Sequence, residues 1–224
     1  MNYIEPVLLK ELHEADYDSL IRYRIRKILM ICSNYDAFIL EEDGQIESQI
    51  YREYIELNLS NSPKFVWVTT SEEARAVMNS SNDIDLVISM FNMGDLEVFQ
   101  LASDLKEQGK NIPFVLLTHF SKEVYKRLSL QNTSGIDYMF SWHGNADLIL
   151  AIVKLLEDRI NADHDILEVG VQAILLVEDS VRYYSTYLPE LYKLILKQCA
   201  EFMKETLNEQ QRKGRKRSRP KILL

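Results

Sequence analysis

The chain has 224 residues, of which 46% are hydrophobic and 27% charged, and its formal net charge is −8. This composition is typical of a globular protein that buries one or two cores. No window approaches the roughly 18 apolar residues of a membrane span, and the N-terminus lacks the basic and apolar regions of a secretory signal. The two cysteines, Cys32 and Cys199, lie far apart and suggest no disulfide or zinc pattern. We expect a cytoplasmic protein without membrane contact.

Positive charge is concentrated near the C-terminus. Residues 212–221 contain seven of the 26 basic residues and no acidic one, which leaves 19 basic against 34 acidic residues elsewhere, a balance of −15. An acidic body of this kind does not favour nucleic-acid binding. The basic run is typical of a solvated loop, with a patch for a nucleic acid or an acidic surface as the alternative.

Short apolar runs and amphipathic runs alternate along most of the chain. Leucine spacing over residues 7–26 predicts an N-terminal helical segment, to which we assign residues 1–26. Five strand–helix pairs follow. The strands are predicted at 27–34, 64–70, 85–91, 112–120 and 137–142, and the helices at 46–57, 71–80 (with Ser71 as N-cap), 95–109, 121–131 and 145–163, the last strongly amphipathic.

These strands are mostly apolar and carry charge only at their first residues, as is typical of strands in a sheet that helices cover on both faces. The pattern predicts an α/β fold, a doubly wound five-stranded parallel sheet within three α/β/α layers. In such a sheet the ligand site lies at the carboxyl ends of the strands, near the switch in strand order.

The alternation restarts at Ala173, after a predicted linker at 164–172. A strand and a helix from 181 to beyond 208 come first, and RPKILL at the C-terminus then echoes SPKFVWV. We expect residues 173–224 to be the truncated start of a second unit, because two strands do not complete a parallel sheet. The chain is then either a fragment of a longer polypeptide, which is favoured, or a protein that pairs with another copy.

The long helix of the second unit carries a leucine-rich face at Leu191, Leu194 and Ile195. With its sheet incomplete, this face needs cover, which a dimer or docking onto the first domain supplies. The tyrosine-rich start of the helix, RYYSTYLPELY, is more typical of packing than of a binding site.

Residues 27–163 resemble the receiver domain of bacterial response regulators, which has the flavodoxin-like (CheY-like) fold. In that family a histidine kinase transfers a phosphoryl group to an aspartate that ends strand three. Two acidic residues after strand one hold Mg²⁺ together with that aspartate, a Thr or Ser ends strand four, and a Lys ends strand five. The metal, the hydroxyl and the ammonium offset the charge that spreads over the phosphoryl group.

The resemblance puts uncharged residues at four of these five positions. The acidic pair falls on Cys32 and Ser33, the phosphoacceptor falls on Met90 in DLVISMFNMG, and the lysine falls on Ser141; only Thr118 is retained. A methionine cannot accept a phosphoryl group. We therefore expect a pseudo-receiver that has no catalytic residue and no cofactor.

Acids displaced from the motif do not restore it convincingly. A solvated loop, or an N-cap for the last of them, explains them better than a metal site. They are Asp36, Glu41, Glu42, Asp43 and Asp95.

The second unit retains part of the motif. In ILLVEDSVRYYS the resemblance puts Glu178 and Asp179 at the metal-binding positions, although two acids at a strand end can also be merely solvated. Mg²⁺ is implied here only if the missing strands of that unit are supplied.

Aromatic and histidine residues near the strand ends have two interpretations each. Trp142, with Phe120 and Tyr138, predicts an anchor for a partner, since this face of a receiver, with its fourth and fifth helices, often binds partners. Alternatively, Trp142 fills the vacated phosphorylation pocket. His119 and His143 are surface histidines or, less simply, a pH or ligand sensor.

Three phrases also resemble the N-terminal regulatory segment of large phosphoenolpyruvate synthase-like or pyruvate phosphate dikinase-like proteins, often from Bacteroidetes: YDAFILEEDGQI, WHGNADLILAIVKLLED and VGVQAILLVEDSVRYYSTYLP. The leading hypothesis is a non-catalytic regulatory module that acts through protein–protein or interdomain contacts, with a homodimer as one form. The alternatives are a phosphorelay receiver whose acidic pair lies in the second unit, and a fragment of an ATP-dependent phosphotransferase.

Overall fold

A computed structural model describes most of the chain, and its residues form two compact units. The larger unit comprises 24–153 and 178–193, and the smaller comprises 20–23, 154–177 and 194–224, within the described residues. These are 20–33, 46–56, 61–91, 97–119, 130–144, 146–204 and 218–224, together with Val124, Lys126 and Leu128.

The larger unit contains a five-stranded parallel sheet. Its strands are β1 (Lys27–Ile31), β2 (Lys64–Val68), β3 (Leu86–Met90), β4 (Phe114–Thr118) and β5 (Tyr138–Ser141). They lie in the order β2-β1-β3-β4-β5, which is the flavodoxin-like doubly wound order. The predicted α/β fold is confirmed, and each strand lies within its predicted range.

Helices follow the strands as the alternating pattern predicts. They are α1 (Ile46–Glu56), α2 (Ser71–Ser80), α3 (Glu97–Glu107) and α4 (Ala146–Ala162). Val124, Lys126 and Leu128, within the predicted fourth helix, are also helical. None of the described helices combines the length and the apolar character of a membrane span.

The N-cap of α2 lies one residue earlier than predicted. The side chain of Thr70 accepts a hydrogen bond from the amide of Glu73 at 3.1 Å. The Glu73 carboxylate in turn accepts the amide of Thr69 at 2.8 Å, which also lowers the pKa of Glu73. Ser71 is the first helical residue and is buried. The prediction of Ser71 as the cap is wrong because the threonine before it has the extended backbone that a cap requires.

The core of the larger unit joins the sheet to α2 and α3. All five residues of β4 are buried, as expected for a strand that is covered on both faces. Each fully buried Leu, Ile or Val contributes about 1.5–3 kcal/mol relative to exposure. The most deeply buried members of this core are Leu29, Ala74, Val87, Leu101, Ala102, Phe114 and Leu116.

α4 is buried on all sides over most of its length, whereas an amphipathic helix exposes one face to solvent. All residues from Leu148 to Asp158 are buried. The charged residues that make the helix look one-sided in sequence are themselves paired, as with Lys154 Nζ and Glu157 Oε2 at 2.7 Å. The prediction of a strongly amphipathic helix is therefore wrong for this stretch.

The smaller unit contains a two-stranded parallel sheet. β6 (Ala173–Leu175) pairs with β7 (Lys221–Leu223), and α5 (Val181–Lys204) connects them in sequence. The register pairs Ala173 with Lys221, just as the register of β1 and β2 pairs Lys27 with Lys64. The sequence echo of SPKFVWV in RPKILL thus extends to the strand pairing, while the boundaries of a second domain at 173–224 stay a prediction.

The predicted N-terminal helix is wrong where it can be compared. Residues 1–19 lie outside the described residues, and 20–26 are irregular. Ile21 has a φ of 52°, which is strained for a β-branched residue. Its amide donates to Asp165 Oδ2 at 3.2 Å, so a buried carboxylate stabilises this backbone in place of a helical hydrogen bond.

The segment predicted as a linker at 164–172 begins as helix. A π-helical turn at Asp163–Glu168 follows α4 directly. Val169 and Val171 then pack with Leu20 in a small apolar cluster. This segment therefore contributes to the core of the smaller unit.

Buried ion pairs attach the C-terminal segment to the rest of the smaller unit. Arg219 donates two hydrogen bonds to Asp158, at 2.6 and 2.8 Å. Lys221 Nζ lies 2.9 Å from Asp165 Oδ2. All four side chains are buried, and desolvation and the nearby Arg219 lower the pKa of Lys221.

This network corrects one sequence interpretation. The basic run at 212–221 is not a solvated loop at Arg219 and Lys221, because both side chains have buried acidic partners. Residues 212–217 of the run lie outside the described residues.

Candidate functional site

The positions that the resemblance assigns to the receiver site lie at one edge of the five-stranded sheet, because parallel strands end at the same edge. Cys32 follows β1, Met90 ends β3, Thr118 ends β4 and Ser141 ends β5. The register sets Thr118 beside Ser141 and Met90 beside the residue before Thr118.

These strand ends carry no charge. Cys32, Thr118 and Ser141 are buried and Met90 is half-buried. The Cys32 amide donates to the carbonyl of Val68 at 3.1 Å, and its thiol is buried. Among the residues that the structure describes, no group of three or more His, Cys, Asp or Glu could hold a metal ion. The described residues do not include 34–45 or 92–96. The displaced acids therefore lie outside them: Asp36, Glu41, Glu42, Asp43 and Asp95.

Thr118 is the retained residue of the motif. Its Oγ1 is buried and has no hydrogen-bond partner among the described residues. A buried hydroxyl without a partner costs stability, because it has given up its hydrogen bonds to water.

Thr118→Val is therefore expected to raise the free energy of unfolding by about 1 kcal/mol, because a methyl group replaces the unpaired hydroxyl at nearly the same volume. Urea unfolding monitored by circular dichroism measures the difference. Thr69→Val is the control, since the Thr69 hydroxyl donates to Glu73 at 3.0 Å and its loss should not stabilise. A loss of stability in Thr118→Val would show that this hydroxyl has a partner in solution.

Ser141 links the end of β5 to two other groups. Its Oγ lies 3.0 Å from Nε2 of His143, and its amide donates to Ser185 Oγ at 2.8 Å. His119 and His143 are both exposed. A sensor role for either histidine stays a prediction.

Trp142 is only 4% exposed. Its amide donates to the carbonyl of Thr118 at 2.9 Å. An anchor for a partner must present its ring to solvent, so the interpretation of Trp142 as such an anchor is wrong. The alternative, that Trp142 fills the vacated phosphorylation pocket, stays a prediction. Phe120, the second aromatic of the predicted group, lies outside the described residues.

The first turns of α5 pack on β5, within the larger unit. The Tyr184 hydroxyl donates to the carbonyl of Met139, and the ring of Tyr184 meets that of Phe140 edge to face at 5.4 Å. Desolvation raises the pKa of Tyr184 to about 12, so this hydroxyl keeps its proton at neutral pH. One residue further along α5, the Ser185 hydroxyl accepts a hydrogen bond from the amide of Ser141. The edge strand of the sheet is thus covered by a helix of the same chain.

Further along α5, ion pairs connect the helix to α1 and α4. Lys193 Nζ lies 3.0 Å from Asp147 of α4 and 4.0 Å from Glu53 of α1. The hydrogen bond with Asp147 raises the pKa of Lys193. The sequence indicates that this helix is used for packing, but not that β5 is its partner.

Glu178 and Asp179 lie just before α5. Glu178 Oε1 accepts the amide of Ser180 at 2.9 Å, and Asp179 is exposed. The Ser180 carbonyl accepts the amides of Tyr183 and Tyr184, both at 3.0 Å. Glu178 therefore supports the start of the helix. Mg²⁺ prefers an octahedral set of oxygens, of which this pair supplies only a part, and a metal role stays a prediction.

Comparisons with known proteins find likeness only among solved structures. No protein-family model matches the chain, and no curated protein matches it. A receiver domain of a Francisella response regulator is 20% identical, over 60% of this chain and 98% of that chain, with a TM-score of 0.44. The response regulator TrrA from Thermotoga maritima, in complex with Mg²⁺–BeF, is 22% identical, over 58% and 98%, with a TM-score of 0.43. The signal receiver domain of an HD domain-containing protein from Pseudomonas fluorescens is 19% identical, over 63% and 97%, with a TM-score of 0.41.

Proposed function

We propose that residues 27–163 form a pseudo-receiver, a non-catalytic regulatory module that acts through protein–protein or interdomain contacts. The observation that carries this proposal is the chemistry of the strand ends. The fold brings Cys32, Met90, Thr118 and Ser141 to one edge of the sheet, and none of these side chains is a carboxylate or an ammonium. Phosphoryl transfer to a side chain needs an acceptor and positive charge at that place.

The packing of α5 on β5 supports a mechanism based on contacts. The resemblance to receiver domains implies that the face containing this strand is one that often binds partners. Here Tyr184 and Ser185 hydrogen-bond the backbone of β5 at Met139 and Ser141. We infer that α5 takes the place of a partner, so that a signal is passed on when the helix docks or is released.

The direct test of this function is covalent labelling of the full chain by a small phosphoryl donor with Mg²⁺. No acyl phosphate is expected to form on residues 27–163.

A second candidate, a phosphorelay receiver built on the second unit, is favoured by one observation. The registers of β6/β7 and β1/β2 match, so Glu178 and Asp179 follow β6 where Cys32 and Ser33 follow β1. In this alternative the two acids bind Mg²⁺ once further strands supply an acceptor carboxylate. Phosphoryl label at such an acceptor would favour it.

The resemblance to phosphoenolpyruvate synthase-like and pyruvate phosphate dikinase-like proteins concerns the parent polypeptide. If the chain belongs to such a protein, the module would regulate an ATP-dependent phosphotransferase in the cytoplasm. That parentage stays a prediction and does not alter the proposal for residues 27–163.

A further inference from the structure

β6 in the smaller unit is an apolar strand with an open edge. Leu175 is 70% exposed and Val177, just after the strand, is 84% exposed. The run from Val171 to Val177 contains no charged side chain. Continuous apolar runs of this kind are typical of strands that are buried on both faces, whereas all three residues of β6 are exposed. In the described residues, β6 pairs only with β7.

The hydrogen bonds to β7 show which backbone groups face the open edge. The Lys221 amide donates to the carbonyl of Gln172 at 2.9 Å, and the Leu176 amide donates to the carbonyl of Leu223 at 2.8 Å. Backbone groups alternate in direction along a strand. Ala173, Leu175 and Val177 therefore direct their amides and carbonyls away from β7, and within the described ranges these groups have no backbone partner.

We propose that the open edge of β6 binds β6 of a second copy of the chain, antiparallel and centred on Leu175. A two-fold symmetric interface uses the same patch on both copies, and this strand is self-complementary in both hydrogen bonding and charge. Leu175 faces Leu175 of the second copy, and Ala173 faces Val177. Each of these outward-directed residues then exchanges both backbone hydrogen bonds with its counterpart.

Charge and strand number also suit a second copy. Pairing about Leu175 sets Glu178 opposite Gln172 of the other chain, so that no like charges meet. Within the residues that the structure describes, the pairing joins the β6–β7 sheets of two copies into one continuous four-stranded sheet. Small two-stranded sheets are marginal by themselves, and exposed apolar edges tend to pair.

The test is sedimentation velocity of the full chain over a range of concentrations up to high micromolar. The wild type is expected to form dimers. Leu175→Lys and Leu175→Glu should each weaken dimerisation more than about tenfold, because each sets like charges opposite one another on the symmetry axis. An equimolar mixture of the two variants should recover dimers, since Lys then faces Glu.

Leu167→Lys is the matched control, because Leu167 is 78% exposed in the same unit but lies outside the strand. It should dimerise like the wild type. Unchanged circular dichroism spectra establish that all variants are folded. A wild type that stays monomeric, a Leu175→Lys variant that dimerises like the wild type, or a mixture without recovery each overturns the proposal. This inference goes beyond the pseudo-receiver function, and phosphoryl labelling of residues 27–163 does not bear on it.

Discussion

Asp158→Asn is expected to lower the free energy of unfolding by about 3–5 kcal/mol, the cost of leaving a buried charge without its partner. Asp158 accepts two hydrogen bonds from Arg219 and a third from the amide of Ile222 at 3.0 Å. Without the carboxylate, the guanidinium of Arg219 remains in an interior site with its charge uncompensated. Urea unfolding monitored by circular dichroism measures the change.

Two further variants isolate the buried pair as the cause. Asp163→Asn removes an exposed carboxylate from the adjacent turn and should change stability by less than about 0.5 kcal/mol. Asp158→Leu combined with Arg219→Met removes both charges and should recover a large part of the loss, because an apolar pair needs no compensation. Equal effects of Asp158→Asn and Asp163→Asn would contradict the account of the network.

Tyr184→Ala is expected to lower the free energy of unfolding by about 3–5 kcal/mol, because it removes a large buried ring. That ring packs edge to face on Phe140, and its hydroxyl donates to Met139. Tyr184→Phe keeps the ring and removes only the hydroxyl, so about 1 kcal/mol should be lost. Limited proteolysis should cut the first turns of α5 faster in the alanine variant than in the wild type.

The neighbouring tyrosine provides the control. Tyr183 is 53% exposed and stacks on Tyr187 at 6.1 Å, away from the contact with β5. Tyr183→Ala should cost about 0.5 kcal/mol or less. If both alanine variants lost the same stability, the docking of α5 on β5 would not be the contact that holds the helix.

The fold of the larger unit could be predicted because its signals are local. Apolar runs such as those of β3 and β4 indicate strands that are buried on both faces. Their alternation with helices implies a parallel order. The carboxyl ends of the strands then meet wherever they occur in sequence. Met90 and Thr118 could therefore be assigned to one edge of the sheet from the sequence alone.

The contacts of α5 and the buried ion pairs could not be predicted, because they join distant parts of the chain. Ser185 meets Ser141 across 44 residues, and Arg219 meets Asp158 across 61 residues. The composition of the segment around Arg219 indicates a basic loop. Whether its guanidinium is buried depends on an acidic partner that lies far away in the sequence. Asp158 and Asp165, seven residues apart near the end of α4, offered a partial signal, because helical residues at that spacing share one face.

The central claim is that this receiver-like domain acts by contact and not by phosphoryl transfer. Its most direct test is intact-mass analysis of the full chain after incubation with acetyl phosphate and Mg²⁺, with an active receiver domain treated in parallel as positive control. We expect no phosphoryl adduct on the wild type under conditions that label the control. A stable, hydroxylamine-sensitive phosphoryl group that maps to residues 27–163 would contradict the claim.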